Sequence, residues 1–179
     1  ATMYKFANKY KVKHILTGGN YSTECVRNPL EWMYYQSDSI QLKDIYKQYG
    51  TGKLNNFPIT NILWHKVYLP YIKGIKLIRP LDYMVYDKEA ATQFLVDNYG
   101  YQRYPQKHFE SRFTKFYEGH WMPTRFGFDT RRPQFSSLIV TGQMKREDAI
   151  AQLKNPAYPL EEVEKDYDYI ASKLRISLE

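Results

Sequence analysis

Only two stretches of this 179-residue chain read as strands, and both are short. Residues 12–16, VKHIL, carry β-branched apolar side chains and run into Gly18-Gly19-Asn20, while residues 75–78, IKLI, are stopped by Arg79-Pro80. Nearly everything else shows either a helical period or turn residues. The fold this predicts is α/β but predominantly helical, with a small sheet.

The helices can be read in order. Met3, Phe6, Ala7 and Tyr10 recur at helical spacing over residues 2–10. Asn28-Pro29 marks a turn, and residues 30–35 read as a helical turn or two. Ser39 suits the cap of a helix over residues 40–49, with Ile40, Ile45 and Tyr49 on one side and Gly50 and Gly52 ending it. Thr60 reads as the cap of the next helix, which Pro70 must end or kink. Asp87 opens the clearest helix, and Gly100 closes it. Phe109, Phe113 and Phe116 predict a helix over residues 109–117 with a ring-lined buried face. Residues 119–133 are too irregular to assign. A helix over 145–153, a linker over 155–159 and a last helix over 160–174, with Val163, Tyr167 and Ile170 inside, complete the chain.

Residues 103–132 hold seven Lys/Arg against three acids, a net +4 of the chain's +7, together with eight aromatic rings. Guanidinium forks suit phosphate and carboxylate, and flanking rings exclude the water that would weaken such bonds. An anion site is the first expectation, phosphate leading. Arg112 and Lys115, three apart on one helix, can hold phosphate oxygens or form an ordinary solvated face. Arg125, Arg131 and Arg132 lie in the irregular segment, and loop arginines more often bind than pack. The Gly18-Gly19-Asn20 loop can bring backbone N–H groups close to a phosphate, with Glu24 suited to magnesium; a plain strand-to-helix turn is the alternative.

Other chemistry is excluded or weak. The single Cys25 rules out an internal disulfide and any multi-cysteine zinc site, and a reduced, cytoplasmic setting is the simplest reading. His14, His65, His108 and His120 show no metal-ligand spacing; His108 beside Glu110 is the best acid–base candidate. No apolar run is long enough to cross a bilayer, and no signal peptide is visible. With 18 tyrosines the chain should offer half-wet surfaces of the kind that line interfaces and sugar or nucleotide pockets. The opening residues lack an initiator Met and read as the middle of a helix, so the chain reads as a piece of a longer one.

The runs HILTGGNYSTECVRNPLEW, KLIRPLDYMVYDKEAATQFL, KHFESRFTKFYEGHWMPTRFGFDTRR and TGQMKREDA resemble the N-acetyl sugar amidotransferases of the WbpG/PseA type. These act in lipopolysaccharide O-antigen and related nonulosonic-acid biosynthesis. The resemblance implies the carboxyl-terminal part of a PP-loop, adenine-nucleotide α-hydrolase-like sandwich over residues 1–144, with a helical extension over 145–179. It implies ATP and magnesium, and adenylation of an acetamido oxygen followed by ammonia attack to give an acetamidino group. The substrate would be an acidic N-acetylated sugar or its UDP derivative. Separate glutaminase and cyclase-like subunits would supply ammonia.

Carried onto this chain, Gly18, Gly19 and Asn20 would face the nucleotide and Glu24 the magnesium. Arg112 and Lys115 would be catalytic, facing pyrophosphate. Arg125, Arg131 and Arg132 would hold the sugar's carboxylate or diphosphate. The family's SGGxDS loop and amino-terminal cysteine pairs do not occur in this sequence, so the chain is expected to be inactive alone. Two rival readings stay open: an RNA-binding module, although the positive charge is dilute for one, and a Tyr-rich domain docking a glutaminase or a second copy as a homodimer.

Overall fold

The computed structural model describes residues 1–32 and 38–177, and the fold is mostly helical around one parallel pair of strands. It divides into two compact units, residues 1–19 with 29–84 and residues 20–28 with 85–179. The sequence boundary at residue 144 therefore falls inside the second unit.

In the first unit, α1 (Thr2–Lys9) leads into β1 (His14–Leu16), which pairs parallel with β2 (Lys76–Ile78). The register sets His14 against Lys76, Ile15 against Leu77 and Leu16 against Ile78. Ala7, Leu69 and Ile75 are buried together, with Tyr4, Ile15, Trp64 and Tyr68 packed around them. The helix α3 (Ile40–Tyr49) forms over the predicted residues, but it buries none of them. Ile40, Ile45 and Tyr49 are exposed, so their shared face is not a core face. Of the turn predicted over 30–35, a 3-10 turn covers Leu30–Trp32, and the remainder lies outside the described residues.

The next helix departs from expectation at both signals. Asn61 rather than Thr60 caps it, its Oδ1 accepting the Trp64 N–H at 2.8 Å. Pro70 neither ends nor breaks it, because Trp64–Ile72 is wound as a π-helix. Proline lacks a donor and its ring collides with the carbonyl four residues back. The wider winding takes its bonds five residues back, as from Lys73 N–H to Tyr68 O at 2.9 Å.

The second unit begins with α2 (Tyr21–Glu24) and continues through α4 (Lys88–Tyr99), α5 (Arg112–Phe116), α6 (Met122–Phe126), α7 (Arg131–Val140), α8 (Arg146–Leu153) and α9 (Leu160–Leu174). Asp87 Oδ1 accepts the Ala90 N–H at 2.7 Å, and Gly100, at φ +66°, closes α4 in the left-handed conformation that glycine takes without strain. α5 starts at Arg112, capped by Ser111, rather than at Phe109. Phe109 and Phe116 are buried with Tyr158, Val163 and Ile170, and Tyr167 packs against them, as the stripe of α9 predicts. Phe113 instead stands exposed and stacks on Tyr117 at 6.2 Å.

The irregular segment is helical too. A π turn covers Tyr117–Trp121, then α6 follows, and α7 runs straight through Pro133. Pro133 falls in the first turn of α7, where a missing N–H costs no helical bond. The arginines expected on a loop thus sit on helices. Residues 20–28 join this unit through α7: the Val26 N–H donates to Ser137 Oγ at 3.0 Å, and Thr141 Oγ1 donates to Ser22 O at 2.7 Å.

Candidate functional site

A cleft of about 570 Å³ opens in the second unit. Its walls are α2, the first turns of α4, the strap of residues 101–108, and the Gln134, Phe135 and Leu138 side of α7. Gly100 turns the chain out of α4, and the strap is then pinned to each surrounding helix in turn. Arg103 Nη1 donates to Glu89 Oε1 and Nη2 to Gln93 Oε1, each at 2.6 Å, on α4. Gln106 Nε2 donates to Gln134 Oε1 at 2.6 Å, on α7. Lys107 Nζ reaches Glu24 Oε1 at 2.6 Å, on α2.

His108 ends the strap with φ +69°, and its Nδ1 lies 3.0 and 3.2 Å from the two Glu118 carboxylate oxygens. A smaller cleft of about 190 Å³ adjoins the same segment and shares Thr23, Glu24, Lys107, His108 and Gln134 with the larger one. The larger cleft offers cations (Lys88, Arg103, Lys107), carboxylates (Glu24, Glu89, Glu110), amides and three phenols (Tyr86, Tyr101, Tyr104). Such a mixture suits a ligand that is both charged and rich in hydroxyls, because phenol faces pack on its apolar surface while the ends of the side chains bond its polar edge.

The residues singled out from sequence are not all brought here. Asn20 and Glu24 line the cleft. Asn20 is buried and its Oδ1 accepts from both the Thr23 N–H and the Thr23 hydroxyl, so this side chain caps α2. Gly18 and Gly19 belong to the first unit; a Cβ at Gly18 would meet nothing within 4 Å, and the Gly19 N–H points at Thr17 Oγ1 at 3.4 Å. Arg112 and Lys115 do not line the cleft and instead anchor α5 to α9. Arg112 Nε donates to the buried Asp166, Nη2 donates to Lys165 O at 2.9 Å, and the guanidinium lies over the Tyr169 ring. Lys115 Nζ pairs with Glu162 at 3.0 Å and with Asp166 at 3.2 Å.

Arg131 is buried, forked onto Asp129, and donates to the carbonyls of Gln152 and Asn155, where it ties down the end of α8. All three of its guanidinium nitrogens are engaged within the protein. Arg125 and Arg132 are exposed, and neither lines the cleft. Sequence reasoning counted Arg103, Tyr104 and Lys107 in the basic-aromatic window without making them site residues, and it passed over Tyr101 and Gln134. The partners that build the site lie far away in sequence: Lys107 and Glu24 are 83 residues apart.

Burial shapes three further groups beside this region. It pushes the Tyr158 phenol up, and the Asp166 carboxylate reinforces the shift. It pulls the Lys115 ammonium down, but hydrogen bonds and charge from Glu162 and Asp166 outweigh it and leave the pKa raised. It lowers His120, whose Nε2 lies 3.1 Å from Tyr167 Oη. Among the described residues, no three His, Cys, Asp or Glu side chains converge as a metal site. Glu24 is a single carboxylate engaged by Lys107, and a magnesium ion there would need substrate phosphates beside it. No described helix is long and apolar enough to cross a membrane.

Residues 110–179 match the family described as LPS biosynthesis protein WbpG-like, C-terminal domain. The match covers less than half of the chain. No curated protein and no solved structure matches the chain.

Proposed function

We propose that this chain contributes the substrate-holding part of an ATP-dependent amidotransferase of lipopolysaccharide O-antigen synthesis, working in the cytoplasm. The enzyme would convert the acetamido group of an acidic N-acetylated sugar, or of its UDP derivative, into an acetamidino group. The observation that carries the reading is the WbpG-like match over residues 110–179, the stretch that holds α5 to α9 and supplies Glu110, Gln134, Phe135 and Leu138 to the cleft.

In this reading the sugar lies in the cleft of the second unit. Tyr101 and Tyr104 pack on its ring, Lys107 and Arg103 meet its anionic group, and Gln106 and Gln134 bond its hydroxyls. Arg125 and Arg132, exposed and without an ion pair among the described residues, remain open to a diphosphate. The parallel strand pair is compatible with a PP-loop sandwich that carries ATP. ATP, when bound, supplies the adenylyl group that turns an amide oxygen into a leaving group, and magnesium would arrive on its phosphates. Ammonia would come from a separate glutaminase with a cyclase-like partner.

Titration calorimetry of the chain with a UDP-linked acidic N-acetylamino sugar, and separately with magnesium-ATP, tests the reading. The sugar should bind at one saturable site, and Lys107→Ala should weaken it about tenfold, because a charge-assisted bond is lost and Glu24 is left facing the anion. No binding to the wild-type chain, or binding indifferent to Lys107→Ala, would sink it.

A further inference from the structure

We propose that His108 is a proton-transfer residue of the cleft and Glu118 its positioning residue, a role that rests on the reading of the cleft as the sugar site. The argument begins with the backbone. His108 adopts φ +69°, a left-handed conformation that a residue with a Cβ takes at some cost. Both neighbours hold it there: Lys107 is tied to Glu24, and Phe109 is buried against Tyr158. The consequence is an aimed ring. Nδ1 faces both oxygens of Glu118, which sits on the π turn Tyr117–Trp121 with its side chain only 20% exposed.

A carboxylate accepts hydrogen bonds and cannot donate one, so the contact places a proton on Nδ1. In the neutral ring Nε2 is then the nitrogen that carries the lone pair. It has no hydrogen bond to any described residue, and His108 lines both the larger cleft and the smaller one. The other charged groups that share these clefts with it are Lys88, the Arg103–Glu89 and Lys107–Glu24 pairs, Glu110 and Glu118 itself. An imidazole oriented by a carboxylate, with its second nitrogen free at a cavity, is the arrangement that general acid–base chemistry requires.

The transfer it would perform balances. As ammonia forms the new C–N bond at the adenylylated acetamido carbon, Nε2 takes a proton from the incoming nitrogen. As the C–O bond breaks, the amide nitrogen's lone pair forms the new C=N bond, the C–O electron pair leaves on the oxygen of AMP, and Nε2 returns that proton to the departing phosphate. The imidazole is regenerated.

Nitrogen-15 spectra of the histidine side chains of the full chain test the proposal, with Glu118→Gln and His108→Asn as variants. Asparagine is at home in left-handed backbone and keeps the turn. Wild-type His108 should carry its proton on Nδ1, and the acidic UDP-sugar should move its Nε2 resonance. Glu118→Gln should mix the tautomers while sugar affinity stays within about threefold. In the assembled amidotransferase, His108→Asn should lower kcat about a hundredfold with little change in KM. A proton on Nε2, an Nε2 resonance unmoved by bound sugar, or wild-type kcat in His108→Asn would each overturn the proposal. Failure of the wild-type chain to bind the sugar would show separately that the reading of the cleft is at fault, and the assigned role falls with it.

Discussion

Arg112 and Asp166 stand 54 residues apart, and Arg112 Nε donates to Asp166 Oδ1 at 2.5 Å. The two partners are unequal: the Asp166 side chain is 3% exposed and that of Arg112 is 43% exposed. A buried charge deprived of its partner cannot recover its hydration, whereas the half-exposed guanidinium can turn to water. The cost of breaking the pair should therefore depend on which side is removed. Arg112→Ala leaves Asp166 with Lys115 alone and should cost about 2–3 kcal/mol. Asp166→Asn frees two cations that can reach solvent and should cost about 1 kcal/mol. Urea unfolding of the two variants decides it, and a larger loss in Asp166→Asn would overturn the assignment of Asp166 as the dependent partner.

The same corner sets an alkaline limit. The pKa values of Lys115 and Tyr158 are both raised in the folded state. A raised pKa means that folding favours the protonated form. The stability each group contributes is complete below its unfolded pKa, near 10, and is lost as pH climbs toward its folded value. The thermal midpoint should therefore fall steadily above about pH 10. Tyr158 Oη is buried without a hydrogen bond, so Tyr158→Phe should be neutral or slightly stabilising at pH 7 and should fall less steeply at high pH. A midpoint flat to pH 11 would contradict this.

What could be read from the sequence and what could not divide along the range of the interactions involved. The helix α4 was legible because Asp87 and Gly100 mark its ends within the segment itself, and α9 because Val163, Tyr167 and Ile170 sit on one stripe. The π winding through Pro70 and over Tyr117–Trp121 was not. A helix with wider turns no longer matches the period that reveals a helix, and α6, five residues long and closed by Gly127, is too short to show one, so residues 119–133 read as irregular. The site was half visible. The basic-aromatic window does contain Arg103, Lys107 and His108. Yet charge alone could not tell Arg131, engaged by Asp129 and two carbonyls, from Arg132, which is exposed. Nor does anything local announce that residues 20–28 fold onto α7 through Ser137 and Thr141.

Gly119 explains why the chain spends a glycine inside the π turn. A Cβ there would lie 2.9 Å from Phe109 Cζ and 3.0 Å from the Tyr158 ring, both buried. Neither ring can retreat without disturbing the cluster with Phe116, Val163 and Ile170. Gly119→Ala should cost about 1–3 kcal/mol as overpacking, despite the gain in helix propensity that alanine normally brings. Denaturant titration would check it. A stabilised variant would mean that the turn can shift and that the contact between Phe109 and Tyr158 is loose.

Acid should act through two histidines. His65 is lowered by burial, then by Lys66 and the chain's amino terminus, and its Nδ1 is buried without a hydrogen bond. His120 is lowered by burial among Phe116 and Tyr167. A lowered histidine pKa means that folding favours the neutral ring. Its contribution is complete above the unfolded value of about 6.5 and is lost as pH falls toward the folded value. The thermal midpoint should therefore decline between about pH 7 and pH 5, before most carboxylates titrate. His120→Gln keeps a nitrogen donor within reach of Tyr167 but cannot titrate, so its midpoint should decline less over the same interval. A wild-type midpoint that holds or rises on acidification would mean that the protonated rings find partners or water in the folded state. The packing of His120 against Phe116 and Tyr167 would then be looser than these distances imply.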